Sequence, residues 1–155
     1  MNWRGTTDTK DRIFGALPYI LPLIYAFSFG IALFQQFPIF GLIYVPLAPL
    51  MAFYFGFPFA QIIVFFILFL AVVRNESISY FIRFNTLQAI LIDILLFLIA
   101  LILGLVPSLG LLSETLNNVV FLGTLAVCGY SMVQSFLGRY AEIPNFSQAV
   151  YAQLR

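Results

Sequence analysis

Arg74-Asn75-Glu76-Ser77-Ile78-Ser79-Tyr80-Phe81-Ile82-Arg83-Phe84-Asn85-Thr86-Leu87-Gln88-Ala89-Ile90-Leu91-Ile92-Asp93 is where charge and amide groups interrupt an otherwise apolar chain. Two arginines and a glutamate open the stretch, and a run of isoleucine and leucine then carries an asparagine, a glutamine and an aspartate inward. On the upstream side no charged residue occurs from Ile13 through Val73. Downstream, Asp93 is the only charge between Phe84 and Ser113, and Thr115 through Gly138 has none. Runs of that length read as membrane spans. The whole chain agrees: 63% of its 155 residues are hydrophobic and 8% charged, with mean hydropathy +1.05. A soluble domain of this size would carry about three times that share of charge.

Working outward, Met1 to Arg12 is polar and mixed in sign, a solvated tail before a first span at about residues 13–34 with Pro18 and Pro22 in its early turns. Ala26-Phe27-Ser28 resembles a cleavage site, but the apolar run continues far past it, so the segment is read as a retained span. Residues 35–50 are broken by Pro38, Gly41, Pro46 and Pro49 and read as an interfacial or re-entrant segment, with Phe37, Phe40 and Tyr44 suited to the head-group zone. A second span covers about 51–73. Gly56-Phe57-Pro58 either kinks it or marks its start. The third covers about 84–105, stopping at Gly104-Leu105-Val106-Pro107. The fourth covers about 115–137, with Ser113 as its N-cap, Glu114 in its first turn and Gly138 at its end. Residues 139–155 read as a soluble tail in which Ser147 caps a short helix. The expectation is one all-α domain: an integral membrane bundle of four transmembrane helices with an interfacial or re-entrant segment between the first and second.

Charge orients it. With four spans, all seven basic residues, Arg4, Lys10, Arg12, Arg74, Arg83, Arg139 and Arg155, fall on one side, and Glu114 is the only charge opposite. The positive-inside rule makes that side cytoplasmic, or stromal in a plastid. Arg74, Arg83 and Arg139 are the topology-setting residues, and Arg74 and Arg83 are expected to extend to the head groups. A net charge of +1 gives no field for nucleic acid.

Few residues carry chemistry. The chain has no histidine, and its single Cys128 lies in an apolar run, so haem ligation by histidine, histidine-based zinc sites and Ser-His catalysis drop out. No cofactor, metal or enzymatic activity is expected. Asp93 stands about 15 Å along the helix from Arg83, near mid-membrane, where a carboxylate costs about 2.5–3.5 kcal/mol on insertion scales. It reads either as a proton-coupling or channel-lining carboxylate or as a hydrogen-bonding group that joins helices. Asn117, Thr124, Cys128, Ser131 and Ser135 fall at helical spacing on the fourth span and read as a packing stripe, with a pore lining as the rival. Ser131 is the hydroxyl best placed for Asp93 by depth. Gln61, Asn85 and Gln88 are candidate interhelical hydrogen-bonding amides.

Three segments carry a resemblance. Arg12-Ile13-x-x-Ala16-Leu17-Pro18-Tyr19-x-x-Pro22, Val73-Arg74-Asn75-x-x-Ile78-Ser79-x-Phe81-Ile82-Arg83-Phe84-Asn85-x-x-Gln88-Ala89-Ile90-x-x-Asp93-Ile94 and Ala141-Glu142-Ile143-Pro144-x-x-Ser147-x-Ala149 resemble the opening, central and closing motifs of the Tic-twenty family. This is the twenty-kilodalton subunit family of the translocon at the inner envelope of chloroplasts. The resemblance implies four membrane helices with stromal or cytoplasmic termini. It also implies a part in protein translocation, as a subunit contributing to a protein-conducting channel or its assembly. The implied partners are the lipid bilayer, other membrane translocon subunits, translocating polypeptides and further copies of the chain. Plant members carry a long transit extension before the first motif, whereas this chain begins almost at it. The expected type is therefore cyanobacterial or plastid-encoded, in a cyanobacterial plasma or thylakoid membrane or the plastid inner envelope. The rival reading is a small proton-coupled transporter using Asp93.

Overall fold

Asp8 opens the first helix through a reciprocal capping box: its side chain accepts from the Asp11 N–H at 2.8 Å, and the Asp11 side chain accepts from the Asp8 N–H at 3.4 Å. The computed structural model describes residues 7–106, 110–144 and 146–154. Arg4, Arg155 and the expected stop at Pro107 lie outside the described residues. Helix α1 (Thr9–Ala16) runs through a 3-10 turn, Leu17–Tyr19, into α2 (Ile20–Ala26) and a second 3-10 turn, Phe27–Phe29. Pro18 and Pro22 lack the N–H that an α-helical ladder needs, and the backbone tightens around them without stopping. The continuous stretch Thr9–Phe29, 21 residues, is long and apolar enough to cross a membrane, and it starts at Thr9 rather than Ile13.

The next segment is broken. After α3 (Ile31–Gln36), a 3-10 helix, Pro38–Tyr44, and α4 (Ala48–Gly56) meet at 79°, the geometry of a broken span or a re-entrant loop. Tyr44 ties this corner down: its hydroxyl donates to the Leu23 carbonyl at 2.7 Å, and its ring packs edge-on against Phe27 and Phe34. Gly56-Phe57-Pro58 both ends one helix and sets the next. Phe57 is extended, as a residue before proline prefers, and Phe59 (φ 62°) takes the left-handed conformation before α5 (Ala60–Leu68). A bulky residue held there stores about 1–3 kcal/mol of strain. A π turn, Phe69–Val73, then closes with the Arg74 N–H reaching back to the Phe69 carbonyl at 3.0 Å. The span expected over 51–73 is thus two helices, because Pro58 removes a donor and Phe59 turns the chain.

Two long helices complete the crossing elements. Helix α6 (Tyr80–Leu105) starts with Ser79 accepting from the Ile82 N–H at 3.4 Å. Helix α7 (Leu111–Phe136) is capped by Gly110 at φ 56° and not by Ser113, which falls inside its first turn beside Glu114. Its end is a Schellman turn: Gly138 at φ 76° donates to Ser135 at 2.9 Å, and Arg139 to Gln134 at 2.8 Å. A short α8 (Phe146–Gln153) follows. Every described helix belongs to one all-helical membrane bundle, with three elements long enough to cross and a fourth if the bent pair is one span.

Packing centres on the first segment. Helices α6 and α7 both lie along α1 and α2 and touch each other little. The crossing is close because Gly15 sits in it: a Cβ there would lie 2.6 Å from Ser135 Oγ, 2.8 Å from a Phe81 ring carbon and 3.0 Å from Asn85 Nδ2. Ser135 also donates to the Arg12 carbonyl at 3.0 Å. Small residues at such crossings let membrane helices associate without a hydrophobic drive between them. The C-terminal segment folds back onto the bundle: Ile143 and Phe146 pack on one core cluster, and Val150 and Leu154 belong to another with Phe84, Leu87 and Ile90. Gly15→Val is expected to remove about 1–3 kcal/mol of stability by overpacking, read as a lower Tm in detergent. Gly123→Ala, with nothing within 4 Å of the added carbon, leaves the Tm unchanged.

Candidate functional site

Residues 83 to 90 of α6 are buried all round, with α1 and α2 on one side, the π turn on another and α8 on a third. Two amides therefore enter an interior that offers no water, and each finds protein partners. Gln88 Nε2 donates to the Ala141 carbonyl at 2.8 Å and to the Tyr19 hydroxyl at 3.0 Å, while Gln88 Oε1 accepts from the Ser147 hydroxyl at 2.6 Å. Tyr19 passes its own proton to Asn85 Oδ1 at 2.7 Å, and Asn85 Nδ2 donates to the Phe81 carbonyl one turn back at 2.9 Å. Ser147 Oγ accepts the Ile143 N–H at 2.8 Å. Tyr19, Asn85 and Gln88 are fully buried and Ser147 nearly so. Tyr19 comes from the first motif, Asn85 and Gln88 from the central one, Ala141 and Ser147 from the closing one. The three motifs are one junction.

The other candidates fall elsewhere. Arg83, expected at the head groups, is buried and donates from Nε to the Val73 carbonyl at 3.0 Å, holding the end of the π turn against α6. A guanidinium placed at the carbonyl end of a helix is favoured by the helix dipole. Arg74 is exposed, 5.4 Å over the Phe69 ring, and Arg139 is exposed after α7. Thr124, Cys128, Ser131 and Ser135 line the buried stripe of α7; Ser131 and Ser135 meet the first segment, while Thr124 lines a recess shared with Ile92, Leu95 and Ile99 of α6. Thr124 returns its proton to the Val120 carbonyl at 2.8 Å. Asn117 is half-buried in a polar recess of about 390 Å³ with Gln35, Ser113 and Glu114.

Asp93 is not paired with Ser131, which lies beside Tyr19. Its partner comes from the broken segment: Tyr54 of α4, itself buried, donates to Asp93 Oδ2 at 3.4 Å. Asp93 Oδ1 is enclosed without a hydrogen-bond partner among the described residues. The Asp93 carboxylate therefore joins α6 to α4. Nothing local in the sequence marks Tyr19 or Tyr54 as a hydrogen-bonding group, although Tyr19 stands within a quoted motif, and Ser147, expected to cap its own helix, bonds Gln88.

This arrangement defines a multi-pass helical membrane protein whose buried polar groups join its helices. The family model described as chloroplast import apparatus Tic20-like matches residues 8–150. The chain belongs to the Tic20 family. A Tic20 family protein of Synechocystis is 56% identical over 97% of this chain and 97% of its own length. The chloroplastic protein TIC 20-II of Arabidopsis thaliana is 32% identical over 96% of this chain and 74% of its own length. The Tic20 family protein Ycf60 of Gracilaria tenuistipitata is 36% identical over 93% and 75% respectively.

Gln88→Leu removes three buried hydrogen bonds and leaves the Ser147 hydroxyl only its longer contact of 3.4 Å with the Ala141 carbonyl, a loss of about 1–3 kcal/mol. The expected result is a lowered Tm together with protease access to α8, and Ser147→Ala gives a smaller loss in the same direction. Asp93→Asn keeps an acceptor for Tyr54 and leaves yield and Tm unchanged. Asp93→Leu orphans the Tyr54 hydroxyl and lowers the Tm by an amount that Tyr54→Phe largely restores in the double variant.

Proposed function

We propose that this chain is a multi-pass subunit of a protein translocation complex, contributing one wall of a protein-conducting channel or the scaffold on which such a channel assembles. Family membership over residues 8–150 carries this reading. The Arabidopsis relative is named for the chloroplast, and the Synechocystis relative supports a cyanobacterial setting for the same role. The junction around Gln88 supports a wall and not a complete pore: at that depth the interior is filled by hydrogen-bonded side chains. The apolar faces left outward on α4 and α5, such as Phe53, Phe55, Ile63 and Phe66, are surface for lipid and for neighbouring subunits. Both termini face the cytoplasm or stroma in this reading, on the side that holds Lys10, Arg12, Arg74 and Arg139.

One observation favours a second reading: Asp93 Oδ1, enclosed with no partner among the described residues, is the kind of intramembrane carboxylate that proton-coupled transporters use. One preparation separates the two. Purified in mild detergent, the protein is expected in a complex with other membrane subunits and cross-linked to a polypeptide arrested in transit. A lone dimer driving proton-coupled flux in liposomes, abolished by Asp93→Asn, supports the transporter instead. For topology, cysteines placed singly in a Cys128→Ser background are expected to label from opposite faces at Thr115 and Ala152. Labelling from one face overturns the assignment.

A further inference from the structure

A groove of about 830 Å³ opens between the first membrane segment and α5, within the roughly 300–1,000 Å³ range of sites for small ligands. Its walls are apolar, with Leu17 and Leu21 on one side and Val64 and Leu68 on the other. Its mouth is polar: Asp8, Lys10, Asp11, Ser77 and Ser79 ring the end where α1 and α6 begin. At the inner wall stands Thr86, only 1% exposed, whose hydroxyl has no hydrogen-bond partner among the described residues. A helical threonine ordinarily returns its proton to a carbonyl one turn back, as Thr124 does to Val120. Thr86 does not, and a buried hydroxyl left unmade is unfavourable by about 1–3 kcal/mol. The site therefore has a polar head end, an apolar length and one buried donor roughly 9 Å along α6 from Tyr80. That is the polarity profile of a membrane lipid: head group, ester carbonyl, acyl chain.

Charge selects the head. Among the described residues the mouth carries two carboxylates against one ammonium, a balance that disfavours an anionic head. Asp8 and Asp11 each give one oxygen to the capping box, leaving the other to accept from outside. The arginines that would fork onto a phosphate, Arg12, Arg74 and Arg83, do not line the groove. Acceptors at Asp8 and Asp11 beside a donor at Lys10 and two serine hydroxyls match a neutral head rich in hydroxyls, which donates and accepts at once. We propose that this groove holds one lipid with an uncharged, hydroxyl-rich head group at Asp8, Lys10 and Asp11, its acyl chain along Leu17, Leu21 and Leu68, and an ester carbonyl accepting from Thr86.

Native mass spectrometry of the full chain from nanodiscs tests this, using equal amounts of a monoglycosyl diacylglycerol and phosphatidylglycerol. One glycolipid per chain is expected to survive transfer, retained at least tenfold over the anionic lipid. Thr86→Val, which keeps the side-chain shape, is expected to reduce that retention threefold or more with an unchanged Tm. Leu17→Trp with Leu68→Trp fills the groove and abolishes retention. Equal retention of the two lipids, undiminished retention in Thr86→Val, or a second copy or a polypeptide occupying the groove in place of lipid each overturns the proposal.

Discussion

Gln88 sits deep in the bundle, and both its amide hydrogens and its carbonyl oxygen are bonded to segments far apart in the chain. Tyr19 lies 69 residues before it, Ala141 lies 53 after and Ser147 lies 59 after. In a bilayer the apolar faces of helices gain little from leaving lipid for one another, so such contacts carry more of the specificity of packing than they would in water. Individually they are modest, averaging about 0.6 kcal/mol per pair in membrane proteins. Their strength here comes from being joined: breaking one bond in the set leaves the others misaligned, and the neighbouring Tyr19–Asn85 bond shares the same hydroxyl.

Around that junction the architecture follows from close approach. Gly15 lets α1 sit against α6 and α7 together, and Ser135 uses the space to bind a carbonyl of α1. The first segment thus separates the two longest helices, leaving α8 to cover the face of α6 that α7 does not reach. Aromatic rings complete the cover, with Phe84 between Tyr140 at 5.0 Å and Tyr151 at 4.9 Å. The broken segment is held differently, by single tyrosine hydroxyls: Tyr44 to a backbone carbonyl of α2 and Tyr54 to Asp93. It is the least embedded part of the bundle, and it carries the strained Phe59.

Long charge-free runs made the helical membrane class and the two long helices legible from sequence, because hydropathy over about twenty residues is a local property. The glycine ending α7 was legible for the same reason: a left-handed residue after a helix has a local signature. What escaped was whatever depended on partners. Ser147 looked like a cap for its own helix, yet its hydroxyl serves Gln88. Arg83 looked like a head-group anchor because nothing nearby in sequence announces that Val73 offers a carbonyl to it. Depth along the helix points from Asp93 to α7, whereas the chain bent at Pro58 sets α4, and with it Tyr54, on that face of α6. Depth can be counted along a helix; azimuth between helices cannot.

The return of the C-terminal segment onto α6 has a consequence for the order of events during synthesis. Ala141 and Ser147 are made more than fifty residues after Gln88. At the ribosome's pace of about 5–20 residues per second, the amide waits for seconds before its acceptor and donor exist. During that interval α6 is an inserted helix with an unfinished side, and a chaperone, an insertase or a neighbouring subunit has time to reach it. The junction on α6 is therefore sealed only when Ala141 and Ser147 reach Gln88, and that contact is the closure that tells a packed α6 from a newly inserted one.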